Sequence, residues 1–400
     1  MANSLLTIDM ITRKSLEILE NNLVISRNCN RQYDDSFAVQ GAKIGSTLRI
    51  RLPDRALVTD GAALQVQDDN EQYTTLSVAS QKHIGINFTS AELTMQLDDF
   101  AERVLKPRIS QLASSIDADV ATAYKSIYNS VGTPGTTPGT SLVLLQAQQK
   151  LNEFATPMSP RYATVNPAAN AGLVEGMKGL FNPTDTVSRQ FKNGMMGTGV
   201  LGFDEINMSQ SIGMHTTGAW GTTITSTGTL STQGQATLPI SFTGSSKTWK
   251  QGDVFTIAGV YAVNPQTRQS TGSLQQFVVT ADLTASSTGT LSISPAIYTA
   301  DHALATVGSF PQATAVVTML GSASTQYAQN LSYHKDAITL ATADLLLPQG
   351  VDMASRQTHN GISMRIVRQY DINNDRMPCR VDVLYGYAAI RPSMATRIWG

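Results

Sequence analysis

The stretch RISQLASSIDADVATAYKSIYNS, Arg108 to Ser130, decides how the rest of the chain is read. Its apolar residues Ile109, Leu112, Ile116, Val120, Tyr124 and Ile127 recur in steps of three and four, which lays one stripe along an α-helix. Pro107 stands at the start, where the amide it lacks would have no partner anyway. Gly132, Pro134, Gly135, Pro138 and Gly139 forbid continuation at the other end. The pattern predicts a helix of about 23 residues, a rod of about 35 Å. Such a rod exceeds the usual globular helix, so other elements must lie along it. A spine of this kind suits a building block better than an enzyme.

Upstream, residues 7–21 (TIDMITRKSLEILEN) carry a rough helical period with Thr7 as cap, and Ile8, Ile11 and Ile18 form a short apolar face. Residues 1–40 read as an N-terminal arm. STLRIRL (46–52) and HIGINF (83–88) alternate cleanly, with Leu48, Ile50 and Leu52 opposite Arg49 and Arg51 in the first and Ile84, Ile86 and Phe88 aligned in the second. Between them lies a long polar excursion that includes the acidic run Gln67 to Glu71. A loop of that length inside a compact domain is unusual unless it is functional, so 41–89 reads as an extended hairpin projecting from the body. Thr89-Ser-Ala-Glu92 has capping-box spacing and predicts a helix running to about Lys106, so 90–135 forms a segment ending in the long helix.

Downstream, helix (Ser141–Phe154), strand (Tyr162–Val165) and helix (Asn170–Phe181) alternate as in a compact α/β unit, 136–216. Residues 216–246 then contain no charged side chain, and QATLPISF, GDVFTIAGVYAV, LQQFVVTA and GTLSIS follow at short, regular spacing. Composition changes on both sides, so 217–312 reads as an inserted small antiparallel β-barrel. Mixed sequence returns over 313–400, with a helix expected at Ser322–Leu331 and strands at Ser363–Gln369 and Arg380–Tyr385.

At 400 residues, two or three structural units are expected. The charged fraction, 15%, falls below the usual quarter and leaves much of the surface to neutral polar groups suited to protein contacts. Net charge is −1 with no basic run, which argues against direct nucleic-acid recognition while allowing proximity to it. Cys29 and Cys379 fit no metal or redox spacing and read as reduced thiols of a cytoplasm-like compartment. The sequence shows neither a leader pattern nor an apolar run of bilayer length, so no membrane role is expected.

Catalytic motifs fail on inspection. Gly197-Thr-Gly-Val-Leu-Gly202 matches a dinucleotide fingerprint, but a strand-like run follows where a helix is required, so it reads as a glycine-rich hairpin turn. Asp371 to Asp375 opens like a calcium loop, yet Arg376 replaces the required glycine, which leaves a turn between strands. The five histidines are scattered without ligand spacing. No enzyme activity, cofactor or metal is expected.

Asn330-Leu-Ser-Tyr-His-Lys-Asp-Ala337, Leu345-Leu-Leu-Pro-Gln-Gly350, Gly361-Ile-Ser-Met-Arg365, Arg380-Val-Asp-Val-Leu-Tyr-Gly386 and Ala395-Thr-Arg-Ile-Trp-Gly400 together resemble the tail of the P22-type bacteriophage coat proteins. Gly252 to Tyr261 and Gly199 to Phe203 resemble the same family. The resemblance implies an α+β, HK97-like capsid fold: N-terminal arm, extended loop, peripheral domain with spine helix, and axial domain carrying an inserted β-barrel. It implies a major capsid protein that self-assembles into an icosahedral procapsid and expands on DNA packaging. The implied partners are copies of itself, a scaffolding protein, a portal protein, and packaged double-stranded DNA held close without sequence-specific binding. The implied location is the virion capsid, after assembly in the host cytoplasm. The alternative is another phage structural protein, a tail-tube or decoration protein whose β module binds a partner.

The family's type member carries a charged loop in the insert, whereas Ser231 to Ala236 here is uncharged. The candidate subunit interface comprises Ile8, Ile11 and Ile18 on the arm, Arg49, Arg51, Asp54 and Arg55 at the base of the extended loop, and Asp68, Asp69 and Glu71 further out. Lys43 and Lys82 read as ordinary surface lysines.

Overall fold

The computed structural model describes residues 8–31, 47–59, 61–62, 66, 72–88, 105–176, 197–228, 230–373 and 376–399. The chain divides into two compact units, one of Met1–Ile50, Thr74–Ala121 and Ile338–Ala388, the other of Arg51–Tyr73, Thr122–Ala337 and Ala389–Gly400. The described elements include both helices and sheets in an α+β arrangement.

In the first unit the central helix, Lys106–Ala121, buries Ile109, Leu112, Ala113, Ile116 and Val120, the expected stripe. It is shorter than expected, 16 residues, or about 24 Å. A 3-10 turn, Thr122–Ser126, follows, and the chain then extends. Tyr124 and Ile127 stay buried, but tertiary pairing overrides helical spacing: Ser130 and Val131 join a parallel ladder with Arg397 and Ile398. The N-terminal helix, Ile8–Asn22, packs on the central helix and on the strands Met353–His359 and Ile362–Arg368, with Leu16 and Leu19 fully buried.

The expected pairing of 46–52 with 83–88 does not occur. Thr47–Arg51 pairs with Tyr73–Ser77, while Ser80–Phe88 runs antiparallel to Met377–Ala389 from Phe88↔Met377 to Ser80↔Tyr385. That strand also pairs with Ile362–Arg368 through Arg365↔Asp382. The cause is burial: Ile86, Val381, Val383 and Tyr385 are all removed from solvent there. Gly386 permits the close turn beside Ser77, whose carbonyl oxygen would lie 2.0 Å from a Cβ at that position.

The second unit holds two six-stranded sheets. One runs Ser130–Val131, Ala395–Ile398, Asn330–His334, Arg161–Val165, Phe203–Met208, Gly197–Val200. The helices Ser141–Glu153 and Pro167–Gly176 contribute Leu144, Ala147, Leu151 and Leu173 to a core with Val165, Phe203 and Ile398. The glycine-rich stretch 197–202 is a hairpin turn, with Val200 opposite Phe203 and positive φ at Leu201 and Gly202. The helix expected at 322–331 is instead two strands, Gln326–Ala328 and Asn330–His334. All five residues of the second are buried, although Asn330, Ser332 and His334 alternate with Leu331 and Tyr333; its partners, Arg161–Val165 and Ala395–Ile398, lie far away in the chain.

The other sheet runs Val317–Met319, Val254–Val263, Ser270–Val279, Thr288–Ile297, Gln235–Thr243, Thr222–Ser226. Its sixth strand lies beyond Gln312. The two outer strands meet at an antiparallel bridge, Thr225↔Val316, with Ser226 N–H donating to the Ala315 carbonyl at 2.9 Å. Leu238, Ile240, Phe255, Phe277, Leu291 and Ile293 fill the interior, and Trp249 meets Phe242 edge-on at 4.7 Å between ring centroids. The chain enters and leaves side by side: Thr217 N–H donates to the Thr325 carbonyl and Ser324 N–H to that of Gly218, each at 3.0 Å.

Candidate interaction surfaces

Alternation in Thr47–Arg51 sends Ile50 inward and leaves Arg49 and Arg51 exposed. The pairing continues past the strand ends, since Leu52 N–H donates to the Gln72 carbonyl at 2.8 Å. Asp54 is exposed and Arg55 half-buried along an open groove of about 520 Å³ that Tyr128, Phe154, Tyr298 and Arg391 also line. Burial pushes the Tyr128 phenol up to about 12 despite the neighbouring Arg55 cation. Arg268 donates to the Ala56 carbonyl at 2.7 Å and so anchors the outgoing loop, beyond which Val58 is 91% exposed. Asp68, Asp69, Glu71 and Lys43 lie outside the described residues.

On the N-terminal helix Ile11 and Ile18 are half-buried, and the side chain of Ile8 lies outside the described set. The apolar face of this helix thus finds much of its cover within its own unit. The structure brings Arg49, Arg51, Asp54 and Arg55 into neighbouring positions along one extended segment, and leaves Ile11 and Ile18 on a separate element.

Four features of the first unit escape sequence reading. Asp117, 1% exposed, accepts hydrogen bonds from Val24 N–H (2.6 Å), Ser26 N–H (2.9 Å) and the Ser26 hydroxyl (2.5 Å), which caps the short helix Ile25–Asn28. Burial raises its pKa against these bonds, which act the other way. Asp382, fully buried, receives Arg365 and Arg380, each at 2.6 Å; burial alone would raise its pKa, but the two guanidinium hydrogen bonds outweigh burial and hold it low. Lys82 is not an ordinary surface lysine: its ammonium contacts Asp119 at 2.8 Å and donates to the Ser115 carbonyl at 2.9 Å and hydroxyl at 2.6 Å.

The fourth feature is a pinned loop. Asp344 pairs with Arg356 at 3.3 Å and Asp352 with Arg368 at 3.0 Å, one at each end, while Arg365 donates to the Leu346 carbonyl at 2.6 Å. Leu346 and Leu347 are nevertheless 73% and 44% exposed. The LLLPQG run carried a family resemblance in the sequence, but its exposure depends on arginines from two separate strands.

Among the described residues no group of His, Cys, Asp and Glu side chains could hold a metal ion, and no helix is long and apolar enough to cross a membrane. Both cysteines are buried free thiols; burial raises the Cys29 pKa, with Asp117 adding to the effect, and pushes that of Cys379 up to about 11.

A protein family described as P22 coat protein, gene protein 5, matches residues 1–400. The major capsid protein of Acyrthosiphon pisum secondary endosymbiont phage 1 is 22% identical over 338 residues, covering 79% of each chain. Among solved structures, one from Mycobacterium phage Che8 aligns over 94% of this chain and 90% of its own at 12% identity, TM-score 0.47. The CUS-3 coat protein I-domain aligns over 25% of this chain and 96% of its own at 28% identity, TM-score 0.20.

Proposed function

The chain belongs to the P22 coat protein family and is the major capsid protein of a tailed bacteriophage; from that premise we propose that it assembles into an icosahedral procapsid which expands as DNA is packaged. The observation that carries this reading is the family match along the entire chain. The order of elements supports it: a helical arm, a two-stranded extension, a central helix, an α/β sheet and a six-stranded sheet with bridged edges. We read these as the parts of an HK97-like subunit, with the six-stranded sheet as the inserted barrel, bounded by Gly218 and Ser324.

Assembly of this kind is repetition. Heterologous contacts between identical subunits close into rings, and each contact can be weak because a subunit leaves only when several neighbours release together. We assign the contacts to Arg49, Arg51, Asp54 and Arg55 at the base of the extended loop, Asp68, Asp69 and Glu71 further along it, Ile8, Ile11 and Ile18 on the arm, and Leu346 and Leu347 on the braced loop. A scaffolding protein and a portal complete the procapsid, formed in the host cytoplasm. Near neutrality of charge suits an inner wall along which DNA slides, since a basic wall would trap it through released counterions.

Electron microscopy of the chain expressed with and without its scaffolding partner tests the reading. Closed shells of uniform diameter with the partner, and irregular or absent shells without it, are expected. Tubes, flat rings or a monomer under every assembly condition would overturn it.

A further inference from the structure

We propose that Arg397, Tyr124, His215 and Asp253 form a buried latch that fixes the Lys250–Asp253 loop, which leads into the Val254–Val263 strand of the inserted sheet, to the turn following the central helix. Four separate segments of chain converge in it. Arg397 is fully buried and donates to the Ile127 carbonyl at 2.9 Å and the Gly252 carbonyl at 2.7 Å, so one guanidinium holds both the turn and the loop. Its carbon lies 5.2 Å from the centroid of the Tyr124 ring. The Tyr124 hydroxyl lies 3.2 Å from His215 Nδ1, and His215 Nε2 lies 2.9 Å from an Asp253 oxygen. The other Asp253 oxygen accepts the main-chain amides of Lys250 at 2.7 Å and Gly218 at 3.1 Å.

A neutral His215 serves both neighbours at once: Nε2–H donates to Asp253 while Nδ1 accepts the Tyr124 hydroxyl proton. The buried charges of Arg397 and Asp253 then balance. Gly252 adopts φ +104°, and a Cβ there would stand 3.1 Å from His215 Cε1 and 3.3 Å from Lys125 Cγ, so the loop is pressed against the body. A second tie lies apart from the latch, where the Gln276 side-chain amide makes a two-point pairing with Ser130, accepting its N–H at 2.7 Å and donating to its carbonyl at 2.9 Å. Apolar side chains would fill the same space without the cost of burying ionised groups. What the polar chain adds is a single permitted register of loop against turn. In a shell subunit the inserted sheet and the α/β sheet then move as one body.

Hydrogen exchange on the full-length chain tests the latch. Tyr124→Phe keeps the ring and its contact with Arg397 and removes only the hydroxyl. Exchange at Gly252 and Asp253 should rise about fivefold, the worth of one hydrogen bond in local opening, while Leu238 and Val278 inside the sheet keep their rates. Asp253→Asn should accelerate the same amides. Since the Tyr124 hydroxyl reaches Asp253 by hydrogen bonds through His215, the double variant should be no faster than Asp253→Asn alone. Unchanged rates at Gly252 and Asp253 in Tyr124→Phe, additive effects in the double variant, or acceleration spread through the whole sheet would each overturn the proposal.

Discussion

Replacing Asp117 with alanine removes the sole carboxylate that Val24 N–H, Ser26 N–H and the Ser26 hydroxyl share. Hydrogen bonds to a charged acceptor contribute about 1.5–3 kcal/mol each, so the three are worth about 4.5–9 kcal/mol before the carboxylate's desolvation is subtracted. That subtraction is large, because burial is the leading cause of the raised Asp117 pKa. In the alanine variant two amides and a buried hydroxyl lose their acceptor, at about 1–3 kcal/mol for each group that water cannot reach. A net loss of about 3 kcal/mol is expected. Asparagine keeps the shape and one carbonyl oxygen for the two Ser26 donors but turns its NH2 toward Val24 N–H, so Asp117→Asn should lose less than alanine, about 2 kcal/mol. The assay is urea unfolding of the two variants alongside hydrogen exchange at Val24 and Ser26, with limited proteolysis of the N-terminal segment. Faster exchange and cleavage should appear there first. A loss below about 1 kcal/mol for alanine, or asparagine as damaging as alanine, would refute the account of Asp117 as the cap of the Ile25–Asn28 helix.

The low pKa of Asp382 makes a prediction about acid. Its folded value lies beneath the unfolded value near 3.9, so its stabilisation is complete above about pH 4 and disappears as pH falls toward the folded pKa; Asp382→Asn should be less stable at pH 7 and show a flatter acid limb in pH-dependent melts. Excision of the inserted sheet should cost solubility at either boundary: joining Gly218 to Ser324 leaves Arg397 buried without Gly252 and Asp253, and cutting at 217–312 also strands Val317–Met319 without its partners, so the second should aggregate more completely, as size-exclusion chromatography would report. Both thiols should resist alkylation at pH 8 in the folded chain and react at once in denaturant; rapid labelling of folded Cys379 would contradict its burial and its pKa of about 11.

Sequence reading succeeded where a signal is local. The stripe from Ile109 to Val120, the alternation Leu48-Arg49-Ile50-Arg51 and the glycines at 199 and 202 each reveal side-chain period or backbone conformation within a few residues. It failed where the signal lies in a distant partner. The Asn330–His334 strand is held between Arg161–Val165 and Ala395–Ile398, partners far from it in the sequence. Ser80–Phe88 could not announce that its neighbour begins at Met377. Among the candidate contact residues, Arg49 and Arg51 point outward as alternation requires. The N-terminal helix instead covers much of its apolar face with strands from the far end of the chain. The exposed pair Leu346 and Leu347 stood in the sequence only as part of a family pattern, because what holds it outward is Arg356 and Arg365.

What the chain determined by itself was the inventory: a long amphipathic helix, alternating strands, an uncharged β-rich block and a near-neutral surface, together with a family pattern spread over its length. Tertiary structure alone decided which strand meets which, where the central helix gives way to a tighter turn, and which polar groups are sealed inside. The physical reason is range. Periodicity is set by bond geometry over neighbouring residues, whereas pairing and the burial of Asp117, Asp382 and Arg397 are settled by contacts between segments that only folding brings together.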